Sequence, residues 1–205
     1  MRSSGGASST LPAGAPLSTV AHAGLAFVWA PAPATTGLSP ELLWRHEELL
    51  EKLMEDRDLL PVRFGTRLAD EADAARALRE RHHELALALD RVRGAVELSV
   101  RVIGTEREPP PAEGMSGTEY LRAREQTSAA RASALRTVHE PLSLGARASS
   151  ERAPRAAGEL VRAAYLVDRE AVQEFTGTVT RLQAEQPRLR LLCTGPWPPY
   201  SFSEP

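Results

Sequence analysis

The chain has 205 residues, 42% of them hydrophobic, with 25 basic against 27 acidic side chains and a net charge of -2. That length predicts one or two domains with packed cores, and the interleaved charge argues against a nucleic-acid or anionic-lipid footprint. Cys193 is the only cysteine, which excludes an internal disulfide and a thiolate zinc site, and no apolar run reaches the length of a membrane span.

Residues 1–16 are rich in Ser, Gly, Ala and Pro and read as a disordered segment without the apolar core of a secretory leader, so a cytoplasmic protein is expected. LSTVAHAGLAFVWA (17–30) predicts two short strands around a turn at His22–Gly24. Residues 30–38 are expected to be a loop. A helix follows over 39–57, with Ser39 as N-cap, Pro40 at the first helical position and Leu42, His46, Leu49, Leu50 and Leu53 on one face. LLPVRFG (59–65) reads as a short strand with Pro61 near its start and Gly65 turning the chain. A second helix is predicted over about 70–93, with an apolar stripe of Leu78, His82, Leu85, Leu89 and Val92 that stops at Gly94.

The second half has the cleaner order. VELSVRV (96–102) alternates as a strand with Val96, Leu98, Val100 and Val102 on one face. A proline-rich loop (105–114) leads to a long helix over 117–142, its inward face expected at Leu121, Ser128, Ala132, Leu135 and Leu142. Residues 147–153 suit a polar edge strand and 160–168 a buried one, with Asp168 placed to cap the next helix. That helix (169–186) is expected to bury Val172, Phe175, Val179 and Leu182, and LRLLCTG (189–195) is the last strand. The order β-α-β-β-α-β is the split βαβ pattern of ferredoxin-like domains, whose second sheet face is left for a partner. The predicted fold class is therefore α+β in two domains, 17–94 and 95–195, the second ferredoxin-like, followed by a Pro/aromatic tail over 196–205.

Chemistry is sparse along the chain. His46, His82, His83 and His139 do not sit at ligand spacing, and no HExxH, GxSxG, Walker A or GxGxxG occurs. Cys193 lies inside a predicted strand without a base nearby and reads as a buried thiol. VELSVRV lacks the aromatics on which an RNA-binding sheet stacks bases. PVRFGT is a strand-to-helix corner in which Arg63 and Phe64 point to opposite sides. In the tail, TGPWPPYSF (194–202), prolines forbid a helix interior or a central strand, while Trp197, Tyr200 and Phe202 need cover from water. The tail is expected to fold back within the monomer, Trp197 in the groove between the two domains and Pro196, Pro198 and Pro199 in polyproline geometry.

Three of these features together resemble the gas vesicle protein GvpF/GvpL family: His46 in a helix followed by LLPVRFGT, a helix leading through RVRG into VELSVRV with Glu97 near the strand start, and the terminal GPWPPYSF. The resemblance covers roughly residues 17–203. Family members open with a strand rich in tyrosine and aliphatics, and the first 16 residues here differ from that pattern. The resemblance implies an accessory protein of gas vesicle formation, with two α+β domains, that binds the hydrophobic shell protein and other accessory proteins, without catalysis or cofactor. It marks His46, Pro61, Arg63, Phe64, Gly65, Glu97, Gly195, Pro196, Trp197, Pro198, Pro199, Tyr200 and Phe202 as motif residues for partner or interdomain contact. A ligand-binding regulatory domain or an enzyme on the same scaffold is the alternative, since a fold does not fix a function.

Overall fold

The computed structural model describes residues 17–30, 39–105 and 116–203. The expected disordered segment over 1–16 and the proline-rich stretch of the 105–114 loop lie outside these, the latter except for Thr105. The chain divides into two compact units, one within Met1–Arg93 with Phe202–Pro205, the other Gly94–Ser201.

The first unit opens with an antiparallel hairpin of β1 (Ser18–His22) and β2 (Leu25–Trp29). Its two-residue turn places Ala23 and Gly24 at φ 45° and 89°, the double positive φ that suits the twist of a hairpin. Alanine rarely adopts this geometry; its carbonyl is held by the His82 ring nitrogen at 3.1 Å. Helix α1 spans Pro40–Met54, and the Ser39 side chain accepts from the Leu42 N–H as the sequence predicts. Helices α2 (Glu71–Glu80) and α3 (His82–Val92) replace the single helix expected over 70–93. The break falls at Arg81, whose φ of -102° and ψ of 12° leave the helical region. Neither glycine nor proline marks it; Arg81 stands at the N-cap of α3 without a side-chain cap to its N–H groups, its guanidinium bonding the Glu84 side chain in the first turn. Residues 59–65 are extended coil and turn rather than the strand expected. Pro61 removes one of the donors a strand would need, and Thr66 bonds back to the Arg63 carbonyl through both N–H (3.1 Å) and hydroxyl (2.8 Å).

The second unit is a four-stranded antiparallel sheet in the order β4-β5-β3-β6, with β3 Ala95–Gly104, β4 Ala148–Arg152, β5 Glu159–Asp168 and β6 Leu189–Trp197. One face carries Leu98, Val100 and Val102 opposite Tyr165, Ala163 and Val161, and these pack with Val138, Leu142, Phe175, Val179 and Leu182 into the core. The last four lie on two helices, Leu142 on α5 (Glu140–Leu144) and Phe175, Val179 and Leu182 on α6 (Val172–Glu185), the latter three as predicted.

Helix α4 (Gly117–Ala134) departs from its expected inward face. Leu121 is 64% exposed and Ser128 is also exposed. A π-helical segment, Leu135–His139, follows, in which the Glu140 N–H bonds the Leu135 carbonyl five residues back. That wider turn shifts the phase of everything upstream, so a stripe extrapolated back from Leu142 at α-helical spacing misses. The buried positions are Ala134, Val138 and Leu142. Pro141 comes directly after, in the first turn of α5, and has no N–H to bond the preceding turn. Asp168 makes no side-chain cap to the following turn, Arg169–Ala171; it pairs with Arg147 instead.

Candidate functional site

The motif residues of the second unit meet at one end of the sheet. Along β3, Val96 and Leu98 point to the core, so Glu97 points to the opposite face. It is buried there. A buried carboxylate needs donors, and they come from the tail: Ser201 gives Glu97 its backbone N–H and its hydroxyl, each at 2.7 Å. The Ser201 hydroxyl in turn accepts from Arg152 on β4 at 2.8 Å. The tail therefore leaves the edge strand β6, passes Glu97 on the central strand β3 and reaches the opposite edge at β4. Pro198 and Pro199 are buried along this path, which covers part of the sheet face the sequence left open.

The start of that path explains its glycine. Glu97 faces Trp197 and Ser99 faces Thr194, so β6 carries one extra residue there, a β-bulge. Gly195 sits in the bulge at φ 118°, and a Cβ on it would lie 2.7 Å from the Glu97 carbonyl oxygen and 3.0 Å from the Leu98 side chain. Only glycine fits both the backbone angle and the space. The Gly195–Pro196 peptide is cis. Pro196 and Trp197 belong to β6 and not to a separate tail; an edge strand accepts a proline at a bulge because that N–H needs no partner. Trp197 stays 37% exposed, its indole N–H 3.3 Å from the Thr194 hydroxyl. The fully buried residue is its neighbour Pro198. Tyr200 is half-buried, and its N–H bonds the Pro198 carbonyl at 2.7 Å. Phe202 is half-buried and groups with the first unit.

In the first unit the other motif residues also converge. The His46 ring on α1 lies 5.4 Å from the Phe64 ring, tilted by 51°. Pro61 is buried beside them in sequence, Arg63 is exposed, and Gly65 holds φ at 88°, which makes Arg63–Thr66 a type II turn. The remaining histidines serve separate places: His82 holds Ala23 and stacks edge-on against His22, and His139 bonds the buried Tyr165 hydroxyl at 2.7 Å. Burial pushes the Tyr165 hydroxyl and the Cys193 thiol up from their usual ranges, which keeps both protonated. Cys193 is half-buried against the core.

A second buried carboxylate, missed by sequence reasoning, lies at the far end of the same sheet. Glu159 is wholly buried at its side chain and takes Arg101 Nε at 2.6 Å and the Arg155 N–H at 2.6 Å. Burial pushes its carboxyl up, but the Arg155 N–H, the Arg101 guanidinium and the Ala156 N–H outweigh this and hold it below the usual carboxylate range. Among the described residues no group of three or more His, Cys, Asp or Glu side chains is placed to hold a metal, and no helix is long and apolar enough to cross a membrane.

Comparison with known proteins places this architecture. Residues 3–204 match the family model of the gas vesicle synthesis proteins GvpL/GvpF. The chain is 34% identical over 180 residues to gas vesicle protein L of Streptomyces sp. (strain CB03234), covering 77% of this chain and 67% of that protein. It is 26% identical over 162 residues to gas vesicle protein F1 of Halobacterium salinarum, covering 77% and 66%; the matches thus span about two thirds of each relative. In fold it is similar to the crystal structures of GvpF from Anabaena sp. PCC7120 (TM-score 0.80, 20% identity, 97% of this chain and 92% of that one) and from Microcystis aeruginosa (TM-score 0.78, 20% identity, 98% and 94%). The chain belongs to the GvpL/GvpF family of gas vesicle synthesis proteins.

Proposed function

We propose that this protein is an accessory factor of gas vesicle formation that works in the cytoplasm by holding the hydrophobic shell protein and other accessory proteins, with no chemical step of its own. The family match over residues 3–204 carries the reading. Physical chemistry supports it. A shell subunit that will face gas exposes a large apolar surface before assembly, and such a surface aggregates unless covered. On α1, Leu43 is 44% and Trp44 76% exposed, and tryptophan is the residue type most enriched where binding energy concentrates. The second unit is read here as a ferredoxin-like split βαβ domain, on the strength of its order β4-β5-β3-β6 and its helices on one face. The converging motif residues, from His46, Pro61, Arg63, Phe64 and Gly65 to Glu97, Gly195–Tyr200 and Phe202, are read as the parts that shape the binding surfaces.

Co-expression of the tagged chain with the small apolar shell protein, followed by affinity capture, tests the reading. Shell protein or a sister accessory protein should co-purify, and Trp44→Ser should lower the shell yield several-fold while leaving the fold intact. Capture of neither partner by the wild-type chain would overturn it.

A further inference from the structure

The sheet face that the tail crosses carries a run of arginines, which the tail meets at Arg152. In register, Arg152 on β4 lies opposite Arg162 on β5, and Arg162 lies opposite Arg101 on β3. Directly opposed residues of an antiparallel sheet project from the same face, so three guanidinium groups form one row across three strands. Arg190 on β6, opposite Ile103, adds a fourth one step along. The carboxylates that this face presents on its strands are spoken for: Glu97 by Ser201, Asp168 by Arg147 and Glu159 by Arg101. Arg152 donates to the neutral Ser201 hydroxyl, and Arg162 and Arg190 have no partner among the described residues. Like charges set directly opposite each other destabilise a sheet. In a chain of net charge -2, Glu159 offsets Arg101 and the tail holds Arg152, while the charges of Arg162 and Arg190 are not offset among the described residues, a local rule broken in the way functional surfaces break one.

We propose that this arginine row is a docking surface for an acidic helix of a partner protein. Neighbouring strands lie about 4.8 Å apart, which sets the step of the row. Carboxylates at i, i+4 and i+7 on one helical face repeat at about 5–6 Å, so a helix lying across the strands meets one guanidinium after another. Arginine's planar fork takes a carboxylate through two parallel hydrogen bonds. The strands carry no aromatic side chain beside the row on this face to stack a base, which favours carboxylates over nucleic acid. The inference is independent of the shell-protein reading: its occupant is recognised by charge, and the row lies on the second unit, whereas the exposed Trp44 lies on the first.

The test uses the full chain and a fluorescent, alanine-rich helical peptide with glutamates at i, i+4 and i+7, followed by anisotropy. Binding should weaken as salt rises, and Arg162→Glu and Arg190→Glu should each weaken it about tenfold, with Arg181→Ala on α6 unchanged. Thermal melts check folding, and Arg190→Glu at the exposed edge keeps the test valid should Arg162→Glu unfold. Three results would overturn the proposal: no effect of either charge reversal, equal affinity for a peptide with the same glutamates scattered around the helix, or tighter binding of oligodeoxythymidine than of the peptide.

Discussion

Glu159 shows how one buried charge is made tolerable. Its carboxylate has two backbone donors and one guanidinium, so the ionised form is the one the fold holds. Because its carboxyl titrates lower in the fold than in the unfolded chain, its contribution is fully present above about pH 4.3 and fades as pH falls through the folded value. Glu159→Gln should therefore cost about 2 kcal/mol at pH 7, and the gap to wild type in a denaturant titration should narrow below about pH 4. A gap that stays constant down to acidic pH would count against the ionised carboxylate as the stabilising form. The sequence did not flag this residue, since a glutamate at a strand start looks solvated until a turn folds over it. Glu97 was legible as part of a motif, but its partner, Ser201, lies so far along the chain that only the tertiary fold shows why it is there. Gly195 was legible for the same motif reason, and the bulge supplies the physical one.

Among the elements, regular periodicity read well and irregular geometry did not. The hairpin, α1 with its Ser39 cap, β3, the polar edge strand β4, β5 and α6 follow from alternation, caps and helical stripes. The helix break at Arg81 carries no breaker residue, and the π turn changes the spacing on which a stripe argument depends. This gives a direct comparison. Leu142→Ala, below the π turn and buried, should cost about 2–5 kcal/mol, whereas Leu121→Ala on the exposed part of α4 should stay within about 0.5 kcal/mol. Equal losses in paired thermal melts would mean that the first turns of α4 are packed against something after all. The strand expected at 59–65 failed for a related reason: Pro61 and the Arg63–Thr66 turn compete with any ladder.

For the molecule, the α+β class and the family were both accessible from sequence, the class from element order and the family from PVRFGT, VELSVRV and GPWPPYSF. The division between last strand and tail was misplaced by two residues, because a proline reads as a stop although a bulged edge strand admits it. Truncation after Trp197 isolates what the crossing segment contributes. It removes both donors to Glu97 and uncovers the face beneath Pro198 and Pro199, so the melting temperature should fall by at least about 5 °C. An unchanged melting temperature would assign those residues to partner binding alone. The strand order carries one more consequence. β3 is central, yet it is the first strand of its sheet to be synthesised; β5 starts at Glu159 and β6 only at Leu189. At about 5–20 residues per second, a growing chain displays AVELSVRVIG with both its edges unpaired for on the order of ten seconds. The chain thus passes through an interval in which an apolar strand must be kept from its neighbours on the polysome, and holdase chaperones are the natural guardians of that interval.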